Sequence, residues 1–152
     1  MITEEVREYV DRSVLCWLAT VGSDGTPNVS PKEVFAAYEN DRLVIANIAS
    51  PGSVRNVLSN DAVCVSFVDV FVQKGFKVRG RANCVARSDS RYSDLAGPLE
   101  EMVAGKFEIH SLIEVRATAV EPIRAPSYQF YPETTEDDQI QSALSAYGVS
   151  RG

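Results

Sequence analysis

Cysteine and histidine are scarce, and neither is arranged for chemistry. Among 152 residues stand three cysteines and a single histidine. Cys16, Cys64 and Cys84 form no CxxC pair and sit inside apolar, strand-like runs, where a reduced thiol behaves as a small hydrophobe. An odd set of this kind builds no disulfide framework. A zinc site would draw on all three thiolates plus His110, and no ligand spacing supports one, so no metal is expected. Positive charge is also in deficit. Fifteen Lys and Arg stand against 21 Asp and Glu, a net charge of −6. That balance argues against a general nucleic-acid or anionic-membrane surface, which needs a positive footprint. Apolar runs all fall well short of the roughly 20 residues that span a bilayer. The opening MITEEVREYVD has neither the basic nor the apolar region of an export signal, so a cytoplasmic location is the expectation. Repeats and low-complexity tracts are missing too.

What is present reads as one domain with a self-sufficient core. At 45% apolar residues, a chain of this length buries roughly 70% of its unfolded surface. A short helix is expected from Thr3 to about Arg12, with Val6, Tyr9 and Val10 at helical spacing. Val14–Val21 is rich in β-branched and aromatic residues, ends in the turn Gly22-Ser23-Asp24-Gly25, and resumes as Asn28–Tyr38, a hairpin. Pro27 and Pro31 confine that second strand to an edge or a bulge, because proline cannot donate to a ladder. Strands follow at Leu43–Ile48, Ala62–Val68, Phe76–Ala86 and Ile109–Val120. Ser50-Pro51 opens a two-turn helix, and a second helix from about Ser90 is interrupted at Gly97-Pro98. Beyond Glu121 an extended arm carries Tyr128, Phe130 and Tyr131. Thr135 then caps an acidic-headed helix ended by Gly148. Six strands in mainly consecutive antiparallel order predict a mainly β fold, a closed or partly closed barrel with short flanking helices and a C-terminal helix. The barrel occupies residues 1–124, and residues 125–152 form an arm and helix of the same domain.

No nucleophile–base pair is visible, and one histidine removes most acid–base schemes. The informative feature is anion-binding chemistry inside an acidic protein. Ser50-Pro51-Gly52-Ser53-Val54-Arg55-Asn56 sets two hydroxyls, free amides and a cation around a helix N-terminus, which favours a phosphate; an ordinary N-cap has the same letters. Lys32, after Pro31, is either turned inward by a bulge or a solvent-facing lysine paired with Glu33 or another acid. Lys77, Arg79 and Arg81 share one strand face. They form either an ion-pair ladder, with Glu114 as candidate partner, or the wall of an anion site or subunit interface.

The ordered set Leu18-Ala19-Thr20, Gly25 to Lys32, Ile45-Ala46-Asn47, Ser50-Pro51 to Arg55-Asn56 and Val78-Arg79-Gly80-Arg81-Ala82 resembles the pyridoxamine 5′-phosphate oxidase-like family of flavin-nucleotide-binding proteins. The resemblance covers roughly Ser13 to Val120. It implies a six-stranded split β-barrel, a homodimer with FMN at the subunit interface, and a pocket assembled from short segments. Asn28, Val29, Ser30, Pro31 and Lys32 would run along the isoalloxazine ring, and Ala46, Asn47 and Ile48 would border the ring or ribityl chain. Ser50, Ser53, Arg55 and Asn56 would surround the phosphate together with Lys32. Charge-assisted donors of this kind offset the desolvation of a dianion.

Two departures qualify what the resemblance implies. Many relatives carry a lysine where Gly52 or Ser53 stands here. The true pyridoxamine phosphate oxidases also carry a C-terminal arginine and histidine pattern that this tail lacks, so vitamin B6 oxidation is not implied. The leading expectation is an FMN-dependent oxidoreductase of unknown small-molecule substrate, in which the flavin carries the redox chemistry. Two other readings stand beside it: a flavin carrier or sensor without turnover, and a barrel that binds haem or a deazaflavin. Haem would want an axial ligand, for which His110 is the only histidine.

Overall fold

Local signals place the helices of the computed structural model, which describes residues 1–152. Helix α1 (Glu4–Arg12) starts where the Thr3 hydroxyl accepts the Val6 amide at 3.3 Å, with Glu4 and Glu5 at the positive end of the helix dipole. Strands β1 (Cys16–Val21) and β2 (Pro27–Lys32) form the expected hairpin, whose turn needs Gly25 at φ 84°. Strands β3 (Phe35–Tyr38) and β4 (Arg42–Asn47) form a second hairpin, and α2 (Pro51–Ser59) follows with proline in its first turn. Then come β5 (Ala62–Asp69), β6 (Lys74–Ala86), α3 (Tyr92–Val103) and β7 (Ser111–Arg124). The chain finishes with α4 (Pro126–Phe130) and α5 (Glu136–Tyr147), the latter opened by a Thr135–Asp138 capping box and closed by left-handed Gly148.

All strands join one antiparallel seven-stranded sheet in the order β2-β1-β5-β6-β7-β4-β3. The expectation of six strands is corrected here. Asn28–Tyr38, read as one strand, breaks at Glu33-Val34, and its halves become the two opposite edges of the sheet. An unbroken apolar texture cannot show where a strand changes neighbours. Lys32 and Phe35 are three steps apart, so at most about 11 Å of chain joins the edges. The sheet therefore curls until its ends meet at this corner, without β2 and β3 pairing. It stays unclosed, a mainly β architecture consistent with a split barrel. Pro27 and Pro31 lie on edge strand β2, as the missing amide requires.

Inside the curl, Leu18, Leu43, Ile45, Val65, Phe67 and Ile113 are sealed from solvent, and α1 closes one side with Val6, Tyr9 and Val10. The outer face is covered on one half only. There Leu95, Ala96 and Leu99 of α3 pack on Val44, Ala46, Val85 and Leu112. That burial carries α3 straight through Gly97-Pro98, where the sequence suggested a break. The other half of the outer face, over β2, β1 and β5, has no covering element and leaves Trp17 46% and Val29 57% exposed.

Further expectations change in detail. The ladder partner of Lys77 and Arg79 is Glu121, and Arg81 pairs with Asp61. Glu114, only 5% exposed, binds Arg42 at 2.8 Å and Arg91 at 3.0 Å. A bulge between Arg79 and Gly80 re-aims β6 against β7, and a Cβ at Gly80 would run into the carbonyl of Arg116. The arm expected to be extended makes the turn of α4, tied back by the Tyr128 hydroxyl donating to the Val72 carbonyl at 2.6 Å. No helix is long and apolar enough to cross a membrane.

Candidate functional site

The corner where the sheet's two ends meet opens into a cleft of about 200 Å³ lined by Pro31, Lys32, Glu33, Val34, Ala46, Ile48, Ser50 and Phe107. One wall comes from edge strand β2, the other from the end of β4, and the Ala46 amide donating to the Val34 carbonyl at 2.9 Å holds them in place. Lys32 reaches this cleft by ordinary strand alternation, paired in register with Cys16, and no bulge turns it inward. It is only 6% exposed, and its ammonium donates to the Ser50 hydroxyl with no carboxylate within reach. Burial pulls its pKa below the usual lysine value. The alternative of a surface lysine paired with Glu33 is thus corrected: Glu33 lies exposed at the rim and makes no ion pair.

Ser50 caps α2 with its backbone alone. Its hydroxyl is engaged by Lys32, so it makes no side-chain cap, and the Gly52 and Ser53 amides find no acceptor in the protein. Ser53, itself buried, shares a 3.1 Å hydrogen bond with Ser30 of β2. The space beside Gly52 is open. A buried cation, hydroxyls and two free amides at the positive end of a helix thus converge on one spot. That donor set fits an anionic oxygen cluster, and a phosphate above all.

Asn47 and Asn56 have other employment. Asn47 Oδ1 accepts the Ser50 amide at 3.1 Å while its Nδ2 donates to the Ser111 hydroxyl at 3.0 Å, which fixes the start of α2 against β7. Asn56 Nδ2 donates to the Thr20 hydroxyl at 3.0 Å and ties α2 to β1. Both position the cradle, Asn47 through its oxygen and nitrogen and Asn56 through its nitrogen. Arg55 lies exposed on α2 without an ion-pair partner. Asn28 sits at the far end of β2, and Val29 points to the bare outer face, so neither lines the cleft of a single chain.

Of the expected residues, then, Pro31, Lys32, Ala46, Ile48 and Ser50 come together directly, and Ser30 and Ser53 flank them. Glu33, Val34 and Phe107 were missed. The first two hid inside a run read as one continuous strand. Phe107 follows the helix terminator Gly105 in a stretch with no periodicity to interpret. Cys16, beside Lys32, is no nucleophile, since burial pushes its thiol up to about 12 despite the nearby ammonium. His110 is exposed and lines none of the cleft.

Residues 2–127 match the sequence profile of the pyridoxamine 5′-phosphate oxidase family. No protein of curated function matches the chain. Among solved structures, an FMN-binding protein from Syntrophomonas wolfei superposes with TM-score 0.69 at 12% identity, covering 80% of this chain and 86% of its own. The haem storage protein HutZ from Vibrio cholerae gives 0.65 at 18%, with 80% and 94% covered. An F420 reductase gives 0.59 at 25%, with 78% and 98% covered.

Proposed function

The chain belongs to the pyridoxamine 5′-phosphate oxidase family, and from that premise we propose that it binds FMN and uses it as an oxidoreductase toward a small molecule. One observation carries the reading: Lys32 is buried without a counter-ion and bonded to Ser50 at a helix start whose amides are unpaired. A buried ammonium without a carboxylate is costly, and a dianionic phosphate relieves that cost. Lys32, Ser50 and the Gly52 and Ser53 amides would hold the phosphate, while Val34, Ala46, Ile48 and Phe107 offer apolar surface to the rest of the ligand. A bound flavin supplies reversible one- and two-electron chemistry, which asks of the protein binding and orientation and no acid–base pair. The absence of any nucleophile–base constellation around the cleft agrees with that division of labour.

The cleft is smaller than the roughly 300–1,000 Å³ that encloses a typical cofactor or drug-sized ligand. A second copy of the chain, docked on the bare half of the outer face beside Pro31, Trp17 and Val29, would supply the remaining cover. The functional unit in this reading is a homodimer. Haem storage and F420 reduction, the activities named for two structural neighbours, rank below FMN. For haem, the cleft presents no histidine to bind the iron; for F420, FMN is the leading reading and the deazaflavin arm of the titration below is the discriminating one. Titration with FMN, riboflavin, a deazaflavin and haemin, followed by absorbance, tests the choice. FMN binding well above riboflavin supports the phosphate cradle, and equal binding of the two overturns it. Reoxidation of the NADH- or NADPH-reduced protein by candidate acceptors separates turnover from a carrier or sensor role.

A further inference from the structure

The polar end of the cleft is complete without its apolar end. Lys32 and Ser50 supply the polar groups an anion needs, while Val34, Ala46, Ile48 and Phe107 bring only apolar side chains to the cleft. An apolar wall beside an anion cradle makes sense only for a ligand with a flat or apolar body attached. Of the four wall residues, Ala46 is buried in the second core cluster and Val34 and Ile48 are partly covered, whereas Phe107 is 56% exposed.

Phe107 is also the least fastened. It lies on the connection between α3 and β7, which leaves the helix through two successive left-handed residues, Ala104 at φ 48° and Gly105 at φ 76°. The amides of Phe107 and Glu108 find no acceptor. Both ends of the connection are pinned: Val103 and Ile109 are buried, and the His110 amide donates to the Asn47 carbonyl at 2.9 Å. Asn47 is the residue that also orients Ser50, so the aromatic side chain is hung from the cradle's own support.

We infer that Phe107 is a ligand-binding residue of this cleft, an aromatic cover that lies against the planar ring of the ligand bound at Lys32. This rests on the FMN reading above. Stacking on a phenyl ring rewards any flat heteroaromatic body and is indifferent to the phosphate.

The test compares FMN with riboflavin, which lacks the phosphate, on the full chain and on Phe107→Ala, Phe107→Tyr and Lys32→Met, with thermal melting to show that each variant folds. Phe107→Ala is expected to weaken both ligands by about tenfold and leave their ratio unchanged, since both lose the same ring contact. Phe107→Tyr should bind both as the unaltered chain does. Lys32→Met should instead collapse the FMN-to-riboflavin ratio. If Phe107→Ala binds both ligands as tightly as the unaltered chain, or changes their ratio, the inference fails while the cradle stands. If the unaltered chain binds FMN no better than riboflavin, the cradle reading itself fails and takes this one with it.

Discussion

A lysine side chain removed from water holds its proton less firmly when no carboxylate is near, and the nearest polar partner of Lys32 is a hydroxyl. Elsewhere the protein does pair its buried charge, as Glu114 with Arg42 and Arg91 shows. Because the folded pKa of Lys32 is depressed, the unfolded chain binds more protons between that value and the ordinary 10.5. Lys32 therefore contributes stability that grows with pH across that interval, against the opposite contribution of buried thiols such as Cys16, so the stability difference between the unaltered chain and Lys32→Met should shift in favour of the unaltered chain as pH rises there. Anion affinity runs the opposite way. It needs the protonated amine, so FMN binding should weaken as pH climbs through the depressed pKa, and that dependence should disappear in Lys32→Met. At neutral pH the substitution should cost about 10- to 100-fold in FMN affinity, read by isothermal titration.

At the scale of elements, α2 decides the site. A serine N-cap ordinarily satisfies one amide of the first turn, worth about 1 kcal/mol. Ser50 gives its hydroxyl to Lys32 instead, so the helix start stays short of acceptors and open to a ligand. Replacing Ser50 with alanine removes the partner of the ammonium without removing a cap, so helix stability should hardly change while FMN retention falls. Arg55 is one turn further on and exposed, where screening weakens its pull. Arg55→Ala should cost less than Ser50→Ala, and the double variant more than either, measured as FMN retained through gel filtration. Equal retention in the double variant and the unaltered chain would move the phosphate away from α2.

Over the whole molecule, the sheet's outer face is the unfinished part. Helix α3 seals the half over β7 and β4, while Trp17, Val29 and their neighbours on β1 and β2 face solvent beside the cleft. Exposed apolar area of this kind, continuous with the cleft, is where the proposed second copy would dock. Trp17→Glu should place a carboxylate against the partner and shift the protein from twice the 16.6 kDa chain mass to the monomer, as read by sedimentation. Flavin retention should fall with it. A variant that stays dimeric, or a chain monomeric from the outset, would remove the second copy from the site.

Local chemistry determined much of this from the sequence alone. Thr3, Ser50-Pro51 and Thr135 with Gly148 mark helix boundaries because capping is settled within a few residues. The alternation around Val78 marks a strand because side chains change face at every step. The candidate anion cradle could be read for the same reason, since most of its donors lie in one short segment. Only tertiary structure decided the rest. The break at Glu33-Val34, the uninterrupted passage of α3 through Pro98 and the choice of Glu121 over Glu114 as partner for Lys77 and Arg79 depend on which strands become neighbours. So does the arrival of Phe107 beside Lys32, across a long separation in the chain. Pairing of distant strands is fixed by the burial of the whole core, and no window of sequence contains that information.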